Sequence, residues 1–259
     1  MSDTQRRSAA EGGPDLRAAR LAARQHGLIT RAQMIEAGLP ERTIERRVGQ
    51  GRWHRALPAV YRIEGAPITW EQELLAACLW AGSGAAASHR SAARLWGLDG
   101  TWPTTVEITA PRRSPRNDLI VHRGPASDVV HRGRLPVTSV TRTLLDLCGV
   151  IDARSVEAAL LDALRRRMTS MRAIRRALDA TPRGRRGTKS LRALIQRFGP
   201  GMLESVLEAR VLNILREAGL PRPALQHHVR SGGRLVARVD FAYPEVKVSC
   251  GRTWSGRDG

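Results

Sequence analysis

This sequence predicts an α+β fold in several domains, and three observations carry that expectation. Short helical periods separated by glycine stops fill residues 15–50, a two-strand pattern follows at 52–63, and from residue 69 helices interleave with strands until a helix and three strands close the chain. With 259 residues, 42% of them hydrophobic, the chain is long enough for two or three domains with their own cores.

Residues 1–14 are polar, contain Gly12-Gly13-Pro14, and read as a disordered leader. From Asp15 a helical period places Leu16, Leu21 and Ala22 on one apolar side and ends at Gly27. Thr30 is the expected N-cap of a short helix, RAQMIEA, which Gly38 stops. In LPERTIERRVGQG, Pro40 takes a first-turn position, and Leu39, Ile44 and Val48 are spaced to face a core. Three helices joined by such short turns form a helix-turn-helix unit. RWHRALPAVYRI then makes two short strands around Leu57-Pro58, a wing.

Beyond Thr69, WEQELLAACLWAG and SHRSAARLWGL read as helices, the second starting at Ser88; TTVEITAP and DLIVHRG read as strands of alternating character, and SVTRTLLDLCGV as helix. From Ser155 to Arg167 a helix carries the core stripe Val156, Ala159, Leu160, Ala163 and Leu164. RGRRGTK, residues 183–189, reads as a basic linker before the helix SLRALIQRF. SVLEARVLNILREAG then opens with a Ser-x-x-Glu capping pattern, and LPRPALQHHVR with RLVARVDFAYPEVKVSC supplies three strands turning at Ser231-Gly232-Gly233 and near Pro244.

Composition excludes several classes. No run reaches the roughly 18 to 20 apolar residues of a membrane span, and MSDTQRRSAAEGGPD lacks a signal peptide's apolar segment, so the expected location is the cytoplasm, with no membrane partner. Cys78, Cys148 and Cys250 are far apart and read as buried thiols; the seven histidines show no metal-ligand spacing, and adjacent His227 and His228 point to opposite strand faces. The formal charge of +19 favours a polyanionic partner. Only Lys189 and Lys247 are lysines, however, and an arginine-rich, alanine-rich composition also follows from GC-rich coding, so the positions of the arginines must decide.

Residues 16–64 hold ten arginines against four acidic residues. With Leu39, Ile44 and Val48 inward, Arg42, Thr43, Arg46 and Arg47 are expected to point outward near the N-terminal half of the third helix, the part of a recognition helix that meets base edges; Arg52, His54 and Arg55 in the wing suit phosphate. The competing account is a solvated surface on which Glu41 and Glu45 pair with arginines. Residues 153–199 hold thirteen basic residues against three acidic ones, either a second phosphate-contacting patch or coding bias.

GLITRAQMIEAGLPERTIERRVGQGRW followed by VYRI resembles the winged-helix N-terminal domain of AbiEi-family antitoxins, departing from it in Ala59, where members often carry Gly. ASHRSAARLWGL, VEITAP, VHRG, LPVTSVTRTLLDL and SVEAALLDALRRR resemble, in the same order, the middle region of AbiEi-like proteins of actinobacterial type, and the likeness spans about residues 16–197. It implies a DNA-binding, antitoxin-like transcriptional regulator in a toxin–antitoxin system, with double-stranded DNA, such as the operator of a cognate toxin gene, as partner. Neither operator sequence nor oligomeric state is readable.

SVLEARVLNILREAGLPRPALQHHV and RVDFAYPEVKV are similar to the C-terminal domain of very-short-patch-repair-like endonucleases, of the PD-(D/E)XK superfamily. The resemblance implies Glu208, Gln226 and Asp240 as site residues and magnesium as cofactor. The second metal carboxylate expected on the strand after the Pro turn is missing from VKVSCGRTWSGRDG, and Asp240 alone would hold an ion weakly. Glu245-Val246-Lys247 imitates the motif, but Glu245 directly follows Pro244 at the turn, while the residue facing Asp240 is expected near Val248 to Gly251. Glu208 also completes a capping box with Ser205, worth about 0.5 to 2 kcal/mol without any catalysis.

The expected organisation is a leader (1–14), a winged-helix DNA-binding domain (15–64), a mixed α/β middle domain (65–182), a basic linker and helix (183–201), and an incomplete restriction-endonuclease-like domain (202–259) that reads as a truncated or frameshifted relic. The function read is a regulator with an inactive nuclease-like tail and no cofactor. The alternatives are a metal-dependent endonuclease targeted by the winged helix, and an inactive remnant of a nuclease gene.

Overall fold

A computed structural model describes residues 13–99, 105–111, 116–124, 126–182, 184, 187–197, 211–212, 214–231 and 234–250. It divides into two compact units, Met1–Arg192 and Ala193–Gly259. Both helices and sheets are present, as the α+β expectation requires. The leader expected at 1–14 lies outside the described residues except for Gly13 and Pro14.

The first unit opens with α1 (Pro14–Ala23), β1 (Leu28–Thr30), α2 (Arg31–Glu36), α3 (Glu41–Gly49), β2 (Trp53–Leu57) and β3 (Val60–Ile63), and the three strands form an antiparallel sheet in the order β1-β3-β2. Helix, strand, two helices and a hairpin make the winged-helix order. Its boundaries follow local chemistry. The Thr30 hydroxyl accepts from the Gln33 N–H at 3.1 Å while Gln33 Oε1 accepts from the Thr30 N–H at 2.9 Å, a complete capping box, and Gly38 at φ +91° ends α2. Leu39 and Ile44 are buried with Met34, Ile29, Trp53 and Tyr61, as the spacing predicts. Two expectations are corrected. Leu16 is exposed; Ala18 and Ala22, one helical turn apart, form the buried side of α1. Pro40 is the extended N-cap of α3 rather than part of its first turn.

The wing turn places Ala59 at φ +59°, in the left-handed region that costs an L-residue about 1–2 kcal/mol. Ala59→Gly is therefore expected to stabilise this unit by about 0.5–1 kcal/mol, glycine's larger unfolded-state entropy offsetting part of the relief. Urea midpoints of the two proteins measure it, and a lower midpoint for the glycine variant would contradict the strain.

The remainder of the first unit contains α4 (Trp70–Ala81), β4 (Ala86–Ala87), α5 (His89–Trp96), β5 (Val106–Ala110), β6 (Leu119–Arg123), β7 (Val129–Arg132), β8 (Leu135–Thr138), α6 (Val140–Leu147), α7 (Ala153–Arg165) and α8 (Met171–Asp179). Its sheet runs β6-β5-β4-β8-β7, with β5–β6 and β4–β8 parallel and the other pairs antiparallel. β5 is buried at all five positions, because α4 and α5 both pack against it; the expected alternation hides two covered faces, with Glu107 and Thr109 on one of them. α7 starts behind Asp152, which accepts from the Arg154 and Ser155 N–H groups, not at Ser155. Its stripe of Val156, Ala159, Leu160 and Ala163 is buried. Near its end Arg166 pairs with buried Asp162 at 2.9 Å and donates to Gly97 O at 2.7 Å and Trp96 O at 3.2 Å, satisfying carbonyls at the end of α5.

α9 (Thr188–Arg197) begins in the first unit, and Gly187 before it, at φ +83°, lies against the backbone of Cys148 and Gly149. Burial pushes the Cys78 and Cys148 thiols up to about 12. Cys250, expected to be buried, is exposed. In the second unit β9 (Ala224–Ser231), β10 (Arg234–Tyr243) and β11 (Val248–Cys250) form an antiparallel sheet in the order β11-β10-β9, with a 3₁₀ turn at Pro244–Val246. Val239, Phe241 and Ala242 are buried. Among the described residues no helix is long and apolar enough to cross a membrane.

Candidate nucleic-acid interface

The seven candidate contact residues of the winged helix fall into two groups. Arg42 and Arg46 on α3 and Arg52 before the wing are exposed, and among the described residues none of the three has an ion pair. Thr43 is half-buried beside them. Glu41 and Glu45, the acidic residues that might have neutralised α3, turn instead to Arg31 at the start of α2, at 3.0 and 3.8 Å. The Glu41 carboxylate raises the pKa of Arg31 above its already high ordinary value, so that guanidinium stays charged.

Arg47, His54 and Arg55 are engaged within the fold. The Arg47 side chain is 17% exposed, bonds to Asp15 of α1 and lies over the Trp53 ring at 4.9 Å, so the expectation that it points outward is corrected: it ties α1, α3 and β2 together. His54 bonds to Glu64, and Arg55 covers Tyr61 at 6.0 Å from an exposed position. Arg46 and Arg47 also sit in the last turn of α3, not its first half. The outward cationic surface of this helix thus reduces to Arg42 and Arg46.

In α8, a helix the sequence reading passed over, Arg172, Arg175 and Arg176 are exposed opposite buried Ile174 and Leu178. By contrast Arg165 and Arg166 are spoken for by Asp162. α8 thus carries three exposed arginines on one short helix, while Arg154, Arg167, Lys189, Arg192 and Arg197 are exposed elsewhere among the described residues of 153–199.

Of the nuclease-like residues, Glu208 lies outside the described residues. Gln226 falls between the paired positions Leu225–Phe241 and His227–Val239, which sets it opposite Asp240 across the β9–β10 ladder. On the other side the β10–β11 register runs to Phe241–Cys250, and position 251 onward lies outside the described residues. Glu245 is exposed in the 3₁₀ turn and Lys247 follows at φ +55°, both off the ladder.

One cluster escaped the sequence reading. His89 at the start of α5, Glu107 on β5 and His122 on β6 place one ligand atom each within 4.8 Å of one another, although the histidines showed no metal spacing along the chain. Sequence separations of 18 and 15 residues hide it, and only the parallel β5–β6 pairing, Thr109 to His122, brings the strands into place. Burial works to raise the Glu107 carboxyl and is outweighed by His122 and by the Arg90 side chain and N–H, which hold it below the ordinary glutamate value. Along the chain Glu107 reads as an ordinary polar position of the alternating strand VEITA, so no local signal marked it.

A helix–strand–helix–helix–hairpin module with an arginine-bearing third helix defines the winged-helix class. Residues 17–63, the same module, match the family described as "Transcriptional regulator, AbiEi antitoxin". The chain is also 31% identical over 179 residues to Uncharacterized protein Rv2248 of Mycobacterium tuberculosis (strain ATCC 25618 / H37Rv) and, equally, to Uncharacterized protein MT2308 of strain CDC 1551 / Oshkosh. The matches cover 68% of this chain and 65% of the relatives' length. A crystal structure of the RV2827C protein from Mycobacterium tuberculosis aligns with a TM-score of 0.44 at 18% identity, over 65% of this chain and 72% of that one.

Proposed function

We propose that this chain is a DNA-binding transcriptional regulator of antitoxin type, with its winged helix on duplex DNA and the operator of a toxin gene as its target. The observation that carries the reading is that the family match at 17–63 falls on the module whose third helix exposes Arg42 and Arg46 free of ion pairs among the described residues. Arginine forks on such a helix suit guanine O6 and N7. Arg52 stands beside the wing for phosphate, and Arg172, Arg175 and Arg176 of α8 offer a second, sequence-independent contact.

Titration of the protein with fragments upstream of its own gene, at several salt concentrations, tests this. Affinity should fall linearly with salt on logarithmic axes, and one fragment should be preferred over random duplex by about a thousandfold or more. Equal affinity for promoter and random fragments would overturn the regulator reading. In the same reading the nuclease-like tail does no cleavage, and supercoiled plasmid stays intact with magnesium or manganese. Metal-dependent nicking that disappears in Asp240→Ala would make the chain a targeted endonuclease instead.

A further inference from the structure

Three side chains with metal-ligating atoms converge on one face of the middle sheet, and the proposed DNA contacts use none of them. Glu107 and Thr109 share a face of β5, and the parallel register sets His122 of β6 beside Thr109. On the other side of β5, β4 pairs Ala87 with Ile108 and runs directly into Ser88 and His89. One sheet therefore delivers all three residues to a single point.

The spacing is that of ligands rather than of hydrogen-bonded partners. His122 Nε2 lies 3.7 Å from Glu107 Oε2, beyond hydrogen-bond reach, and among the described residues this buried nitrogen makes no hydrogen bond. Two ligands at about 2.0–2.2 Å from one tetrahedral zinc stand about 3.4 Å apart, within a few tenths of an ångström of that separation. A buried imidazole nitrogen without a hydrogen bond calls for an explanation, and a cation between it and the carboxylate supplies one.

The surroundings also have the form of an outer ligand shell. Arg90 Nε holds Glu107 Oε1 at 2.6 Å, which orients the carboxylate with Oε2 towards His122, and the Arg90 N–H donates to Oε2 at 3.1 Å. Ser88 Oγ stands 2.9 Å from His89 Nδ1 and accepts from Thr109 Oγ1 at 2.8 Å, fixing the first imidazole. His89 itself sits at φ +51°, a conformation costly for a residue with a β-carbon and characteristic of functional positions. The two rings are stacked, centroids 3.4 Å apart and planes at 14°. Because imidazole lone pairs lie in the ring plane, loading an ion requires one ring to turn. His122, one-quarter exposed on the edge strand β6, is the ring with room to do so.

We propose that His89, Glu107 and His122 form a site for a late first-row divalent metal ion, zinc foremost, with a fourth position left for water. Two imidazoles and one carboxylate suit zinc, cobalt or nickel; magnesium and calcium, which take oxygen ligands, are excluded by the same donor set. The site would pin the edge strand β6 and the start of α5 to β5.

The test uses the full chain without a polyhistidine tag, stripped with chelator and titrated with cobalt(II). One equivalent should produce a saturable visible absorption, one equivalent of zinc should abolish it, and a hundredfold excess of magnesium should leave it unchanged. Zinc should also raise the melting temperature of the wild type. His122→Ala should weaken cobalt binding at least tenfold while keeping the wild-type circular dichroism, and Glu107→Gln should do likewise in affinity. Glu107→Gln also breaks the Arg90 pair, so His122→Ala is the deciding variant. His227→Ala with His228→Ala should bind as the wild type does. Absence of a saturable signal, or one of undiminished affinity in His122→Ala, would overturn the site.

Discussion

Replacing Arg42 and Arg46 together with alanine should lower affinity for the preferred fragment by about a hundredfold or more while leaving the melting temperature of the protein almost unchanged. Each arginine that reads a base contributes about 1–3 kcal/mol, so the pair supplies a loss of two or more orders of magnitude. Stability is spared because both side chains are exposed and carry no ion pair among the described residues. The manner of the loss separates two roles. Base reading relaxes preference at particular positions, whereas phosphate contact weakens all sequences alike and reduces the salt slope by about one per arginine. Arg47→Ala is the informative contrast, since it should act through the fold, releasing Asp15 and uncovering Trp53. Anisotropy titrations at three salt concentrations, with thermal melts of the same samples, give both readouts. Equal affinity of the double variant and wild type at every salt would remove α3 from the interface.

Gly187→Ala should destabilise the first unit by about 2–5 kcal/mol, the sum of a left-handed backbone and a forced contact. A β-carbon built at Gly187 would lie 2.7 Å from both the carbonyl carbon and the β-carbon of Cys148 and 2.8 Å from the Gly149 nitrogen, with φ at +83°. Two of those atoms are backbone at the end of α6 and cannot swing aside. For a unit of this size each kcal/mol lowers the melting temperature by about 2–4 °C, so a fall of roughly 4–20 °C is expected by calorimetry. Gly184→Ala provides the control, because Gly184 has a similar φ of +87° but no atom of the described residues within 4 Å of the added carbon. Equal melting temperatures for the two variants would show that the approach to Cys148 does not constrain the chain.

Where a residue's role was set by its near neighbours in sequence, the sequence alone revealed it. The Thr30–Gln33 capping box, the Gly38 stop and the inward Leu39 and Ile44 all depend on residues within one or two turns. What the sequence concealed was long-range. β1 is only three residues long and exists because β3, some 30 residues later, pairs with it. Arg47 looked like an outward helix residue until Asp15 and Trp53, from two other elements, were brought to it. α8 carries only two fully buried apolar residues, Ile174 and Leu178, too thin a stripe to stand out among its arginines. The His89–Glu107–His122 cluster needed a parallel strand pair, the kind of contact that leaves no local trace. At the candidate interface, residue type pointed to α3, but only the tertiary contacts sorted accessible arginines from those engaged in packing.

The wing is stitched to the rest of its module at both ends. The Arg31 N–H donates to Ala59 O at 2.8 Å at the tip, and the Ile63 N–H donates to Gly27 O at 2.9 Å at the base, with β1 between them. Arg31 then reaches across to Glu41 and Glu45, so the same residue that anchors the hairpin also clasps α3. In the proposed complex with DNA, helix and hairpin would act as the two jaws of a calliper whose gap these bonds set before any duplex arrives. A target whose groove width departs from that gap must itself bend to fit, and the energy of that deformation discriminates among sequences at base pairs that no side chain touches.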